Sequence, residues 1–140
     1  MKFRYEKQLD VSNPHLPWKS RPIVKVRLSC GDREQAFLAL IDSGADVTLF
    51  HLSVAKLLGI TDFEREGRVV GISGEVMPIH YRTLKLQLEG ADESIEIEAG
   101  FVDSPGVGAL LGQAGFFEHF HICFDRNKEE IEIRSRRKRS

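Results

Sequence analysis

Long apolar runs are missing from these 140 residues. Although 41% of them are hydrophobic, no run approaches the roughly 20 residues that a membrane-spanning helix needs. The opening residues, Met1-Lys2-Phe3-Arg4-Tyr5-Glu6, lack the apolar core of a secretory signal. Cysteine is scarce too, with only Cys30 and Cys123. Neither lies in a Cys-x-x-Cys pair or has a histidine at metal-ligand spacing, so no zinc or other metal site is expected. Two reduced thiols in a cytoplasmic protein are expected, rather than a disulfide. His51, His80, His119 and His121 share no common spacing and receive no metal or catalytic role. Neither a phosphate-binding loop nor a Ser-His-Asp arrangement is present. What remains is a cofactor-free globular chain, long enough for one domain with a real core and too short for two.

Charge is nearly balanced at −1, but unevenly placed. Arg134, Arg136, Arg137, Lys138 and Arg139 crowd the last seven residues. Without those five, 15 basic residues face 21 acidic ones, a body charge of −6. Such a tail could meet nucleic acid or an acidic partner. A solvated end is the preferred reading, and no nucleic-acid role is expected. The chain therefore divides into an irregular N-terminal arm at 1–22, a folded domain at 23–133 and a basic tail at 134–140.

Periodicity inside the domain is that of strands. The arm holds Pro14, Pro17 and Pro22 and no steady period, and Trp18 reads as its anchor. From Ile23 the sequence alternates, with Val24, Val26 and Leu28 set against Lys25, Arg27 and Ser29. Gly31-Asp32 reads as the turn of a hairpin returning through 35–41. Residues 52–58 look like a short helix, started by Ser53 and stopped by Gly59. Residues 69–77 read as two strands around a flexible turn. Residues 81–88 and 95–101 alternate as amphipathic strands. Phe116, Phe117 and Phe120 suggest a second short helix, and 122–133 a final hairpin. A mainly β, closed-barrel architecture with one or two short helices follows.

The chemistry centres on Leu40-Ile41-Asp42-Ser43-Gly44-Ala45-Asp46-Val47-Thr48-Leu49-Phe50. Asp-Ser-Gly alone is an ordinary turn. Here it follows Phe37-Leu38-Ala39-Leu40-Ile41 and precedes Val47-Thr48-Leu49-Phe50, which read as buried strands on both sides of one acid. Far downstream comes Ala109-Leu110-Leu111-Gly112, a second apolar run ending in glycine. Across residues 20–133 the pattern resembles the retropepsin-like (retroviral-type) aspartic proteases, in which apolar-apolar-Asp-(Thr/Ser)-Gly-Ala is followed by apolar-apolar-Gly. The resemblance implies a retropepsin-like closed barrel that hydrolyses peptide bonds as a homodimer.

Carboxylate-driven peptide hydrolysis needs two acids around one water, one ionised as general base and one protonated to polarise the carbonyl. Two acids at contact distance share a proton. Only one Asp-Ser-Gly is present. Asp103-Ser104-Pro105-Gly106 has proline where the turn glycine should be and reads as a loop. Pepsin-like enzymes carry two such turns in a far longer chain. A two-fold dimer giving one Asp42 from each subunit solves the problem.

The resemblance further implies roles for individual residues. Asp42 would be catalytic. Ser43 would bond across the two-fold axis, and Gly44 would permit close backbone approach. Ala45 and Asp46 would line the cleft. Gly71, Ile72, Ser73 and Gly74 would form a flap over bound peptide. Leu110, Leu111 and Gly112 would pack beneath the Asp turn. Two departures stand out. Gln113 replaces the arginine usual after the late glycine, which leaves Asp46 exposed or paired with another base such as Arg33. Ser43 replaces threonine, keeping the hydroxyl but losing a packing methyl. The competing reading is a non-catalytic dimeric peptide- or protein-binding module on the same fold. The intact Asp42-Ser43-Gly44 favours the enzyme.

Overall fold

Prolines at 14, 17 and 22 do not keep the first 22 residues irregular. The computed structural model, which describes residues 1–71 and 73–136, orders them into strands. Strand β1 (Lys2–Arg4) is followed by a hairpin of β2 (Glu6–Leu9) and β3 (Trp18–Arg21), paired from Glu6↔Arg21 to Leu9↔Trp18. Pro14 and Pro17 fall in the connecting loop and Pro22 just beyond β3, so no ladder donor is lost. The expected irregular arm is corrected on this point. Its sequence shows no period because nearly every side chain of β2 and β3 faces solvent.

Alternation then organises the barrel. In β4 (Ile23–Cys30), Val24, Val26 and Leu28 point inward while Lys25 and Arg27 point out. Gly31, at φ +61°, takes the first turn position and sends the chain back along β5 (Arg33–Ile41), as a two-residue hairpin turn requires. After β6 (Leu49–His51) comes one short helix, α1 (Leu52–Leu57), closed by Gly59 at φ +68°. Its cap is His51, whose Nδ1 accepts from the Ser53 N–H at 3.1 Å, rather than Ser53 itself.

A second hairpin joins β7 (Arg65–Val70) to the long β8 (Val76–Leu88), and β9 (Ile95–Val102) pairs antiparallel along β8. The short β10 (Ala109–Leu111) lies parallel to β5 and antiparallel to β6, and β6 lies parallel to β9. Pairing of β4 with β8, from Val26↔Leu88 to Ser29↔Lys85, closes the ring. The result is a closed six-stranded barrel in the order β4-β5-β10-β6-β9-β8. Closure leaves no free edge within the ring over the paired residues.

The final hairpin, β11 (Phe120–Asp125) and β12 (Glu130–Ser135), pairs with β1 as a separate three-stranded sheet. Arg134 thus belongs to a strand, and Arg136 donates to the carbonyl of Phe117 at 3.1 Å. The expected tail therefore starts later than 134, and residues 137–140 lie outside the described residues. The expected second helix at 116–120 is a run of turns. Gly115 sits at φ +97°, and Phe117 and Glu118 donate five residues back, to the carbonyls of Gly112 and Gln113. Helical spacing of the phenylalanines arises from wrapping around a buried Phe116 instead.

Two apolar clusters result. The barrel interior holds Phe50, Phe101, Leu111 and Phe116, all fully buried. A smaller cluster of Leu49, Ile79, Tyr81 and Val102 forms on the opposite faces of β8 and β9, covered by Val47, Val69, Val107 and Leu110. It packs the base of the β7–β8 hairpin against Val47 and Leu49, which follow the Asp-Ser-Gly turn.

Candidate active site

Strand β5 delivers Asp42 to the end of a rigid ladder. Ile41 is buried, and its N–H donates to the carbonyl of Pro22 at 2.9 Å. The Asp42 N–H donates to the Leu111 carbonyl at 2.9 Å, continuing the parallel pairs Leu110↔Leu40 and Leu111↔Ile41. The Asp42 carboxylate accepts the Gly44 N–H at 2.9 Å, and the Asp42 carbonyl accepts the Ala45 N–H at 3.2 Å. This is a tight aspartate turn. Asp42 itself is half-buried, with its second carboxylate oxygen free of the turn bond.

Residues 111–114 grip the turn from a distance of nearly 70 positions in sequence. Gln113 N–H donates to the Ala45 carbonyl at 2.8 Å, and Ala114 N–H to the Asp46 carbonyl at 2.9 Å. Gly112 passes so close beneath that a Cβ there would lie 2.2 Å from the Val47 carbonyl oxygen and 2.7 Å from that of Ala45. Only glycine fits.

Thr48 completes the clamp and was not singled out from the sequence. It is fully buried; its hydroxyl donates to the Ala114 carbonyl at 2.9 Å and accepts the Gly112 N–H at 3.1 Å. A hydroxyl in the otherwise apolar Val47-Thr48-Leu49-Phe50 is the sequence signal that could have marked it, since buried polar groups need partners.

The departure at Gln113 also acquires a physical role. Its side-chain amide donates to the Ser43 carbonyl at 2.8 Å, tying the tip of the turn to the late glycine run. Asp46 is exposed. Arg33, the partner considered for it, lies instead along Gly59, with Nε 3.0 Å from where a Cβ would stand. Ser43 is exposed and Ala45 half-buried.

The β7–β8 hairpin ends in a turn where Gly71 N–H donates to the Glu75 carbonyl at 2.8 Å and Gly74 N–H to the Gly71 carbonyl at 2.9 Å. Gly74 sits at φ +84° with open space around it. Val70 and Val76, paired across the base of the turn, stay exposed. Ile72 lies outside the described residues. Ser73 is exposed at the tip.

Other titratable groups serve local structure. Among the described residues no group of three or more His, Cys, Asp or Glu is placed to hold a metal ion. His51 caps α1, with its other ring nitrogen 3.7 Å from Asp103. His80 lies 3.2 Å from Glu66 and against Phe63. Arg65 stacks on the Tyr81 ring at 3.6 Å and pairs with Glu98, which raises its pKa. Bonds from the Thr83 hydroxyl and N–H hold Glu64 below the usual carboxylate range. The best-formed depressions of the described surface lie beside Lys25 and Gln87, or beside Cys123 and Lys128, away from Asp42.

A barrel of this topology, with a strand-end Asp-Ser-Gly turn clamped from below by Leu-Leu-Gly, defines a class. An aspartyl protease family profile matches residues 24–114, about two-thirds of the chain, from β4 through the clamp at Ala114. The chain belongs to that aspartyl protease family, and its closed six-stranded barrel is consistent with a retropepsin-like fold. No curated protein matches the sequence.

Proposed function

We propose that the chain is a retropepsin-like aspartic endopeptidase that works as a homodimer and places two Asp42 carboxylates around one water. The observation that carries this reading is the state of Asp42. Its backbone is locked to Leu111, one oxygen is fixed by the Gly44 N–H, and the half-buried group keeps its second oxygen outside that bond. A carboxylate so oriented is preorganised for a partner it lacks in one chain. At the two-fold axis one acid stays ionised and draws a proton from water. The other, protonated, donates to the scissile carbonyl oxygen as the hydroxide adds to its carbon. The C–N bond then breaks as the first acid passes its proton to the leaving nitrogen. The second takes one back from a hydroxyl on the tetrahedral carbon, leaving a carboxylic acid and an amine.

Ser43 bonds across the axis, Ala45 and Asp46 line the cleft, and residues 71–74 close over bound peptide. Leu111 and Gly112 hold the turn from below. The protease unit spans 23–133, between the N-terminal segment 1–22 and the basic tail. No cofactor takes part, and the two free thiols, Cys30 and Cys123, suit a reducing cytoplasm. Membranes and nucleic acid have no place in the reaction.

Incubation with a mixed peptide library, with and without pepstatin, tests this reading. Asp42→Asn is expected to fold normally, by circular dichroism and thermal melting, and to lose cleavage. A folded Asp42→Asn protein that cleaves at the wild-type rate would overturn the assignment.

A further inference from the structure

Leu9, Val11, Leu16 and Trp18 are 60%, 87%, 67% and 62% exposed, all within the β2–β3 hairpin and its loop. Of the other large exposed apolar residues that are described, Val70 and Val76 form one cross-strand pair at the β7–β8 tip, and Met1, Leu38, Leu57 and Phe124 lie apart along the chain. A concentration of this kind in one short element marks an interaction surface. The hairpin is a two-stranded sheet outside the barrel, an arrangement of marginal stability in water. It is nevertheless braced. Lys19 pairs with Asp10 at 2.9 Å, and Asp10 also accepts the Ser12 N–H and hydroxyl. The chain therefore maintains an element whose apolar side chains bury little against its own body.

The root of the hairpin identifies its partner. Tyr5 N–H donates to the Glu129 carbonyl at 2.8 Å on one side, and the Pro22 carbonyl accepts the Ile41 N–H at 2.9 Å on the other. Ile41 is the residue before Asp42. The hairpin thus leaves the body at the barrel end that carries the Asp-Ser-Gly turn. We propose that this hairpin is an arm that clasps a second copy of the chain, burying Leu9, Val11, Leu16 and Trp18 against it.

The inference rests on the two-carboxylate reading above. A second Asp42 can approach the first only if another copy packs against the face from which the arm springs, so the active site is incomplete without the partner that the arm reaches. Asn13, Lys19, Arg21, Arg126 and Glu129 border Leu16 and Trp18, giving the apolar centre a polar rim.

Sedimentation velocity over a concentration series tests the arm on wild type and on Leu16→Ser/Trp18→Ser, with circular dichroism confirming the fold. The double variant is expected to dimerise at least about tenfold more weakly, as loss of a central aromatic anchor does. Cleavage should vanish at dilute chain and return at high concentration with unchanged kcat. Trp18 is the one tryptophan, so wild-type emission should shift to shorter wavelength and resist acrylamide quenching as dimer forms. A variant that dimerises like wild type overturns the arm, as does a Trp18 that stays open to acrylamide in the dimer. A raised KM with dimerisation unchanged would assign the hairpin to substrate instead and also overturn it. A wild-type dimer weakened by the double variant, yet inactive at every concentration, supports the arm and overturns the protease reading alone.

Discussion

Gly112 shows how one residue fixes the geometry around Asp42. Its backbone lies where any side chain would enter the carbonyl oxygens of Val47 and Ala45. Gly112→Ala is therefore expected to push the 45–48 segment away and cost about 3 kcal/mol, the upper range for overpacking a filled site. Urea unfolding measures the loss; a change under about 0.5 kcal/mol, the scale of a neutral surface substitution, would show that the clamp yields easily. Thr48 works at the same spot with a different device. One hydroxyl accepts the Gly112 N–H and donates to the Ala114 carbonyl, which also accepts the Thr48 N–H at 3.1 Å, so this buried side chain is itself fully partnered.

Elements with few buried contacts are the ones expected to move. The tip of the β7–β8 hairpin projects past its last pair, Val70↔Val76, and both valines are exposed. Bound peptide should slow amide exchange across residues 69–77 as the tip closes. Gly74→Val should reduce turnover more than it reduces thermal stability, since φ +84° strains the turn while no neighbour is crowded. Unchanged exchange together with a fully active Gly74→Val would make this a rigid turn.

The β2–β3 hairpin should respond to acid. Bonds from Lys19 and Ser12 lower the pKa of Asp10 to about 2. A depressed carboxylate stabilises the folded form above its unfolded value near 3.8, and the support fades as pH falls from there toward 2. Trp18, paired opposite Leu9 beside this bridge, reports it. Its fluorescence is expected to change between pH 4 and 2, and Asp10→Asn should abolish that change.

For the molecule as a whole, the proposed paired site makes activity a matter of concentration. Pairing of β4 with β8 seals the barrel, while Asp42 stays half-buried with one carboxylate oxygen outside the turn bond. If two chains make one site, specific activity must fall on dilution, because the fraction of dimer falls with concentration. Peptide cleavage per chain, followed over a thousandfold dilution, should drop steeply once the chain is below the dimer dissociation constant. Constant specific activity accompanied by sedimentation as a monomer would refute the paired site.

The sequence by itself determined whatever has a local period or a local turn. Strands β4, β8 and β9 were legible because one face of each is buried and the alternation is written into consecutive residues. The Gly31-Asp32 turn and the short helix before Gly59 were legible because glycine conformations punctuate them. Asp42 was legible because an acid between two apolar runs has few structural uses. Tertiary structure decided the rest. The grip of residues 111–114 on the Asp42 turn joins positions some 70 residues apart through backbone groups, which carry no side-chain signature. Strands β2 and β3 escaped notice because neither face is covered, so no alternation was imposed on them. Phe116, Phe117 and Phe120 imitated a helix because burial around Phe116 selects the same spacing that a helix would. Local rules recorded which residues turn inward; long-range packing chose which of them meet.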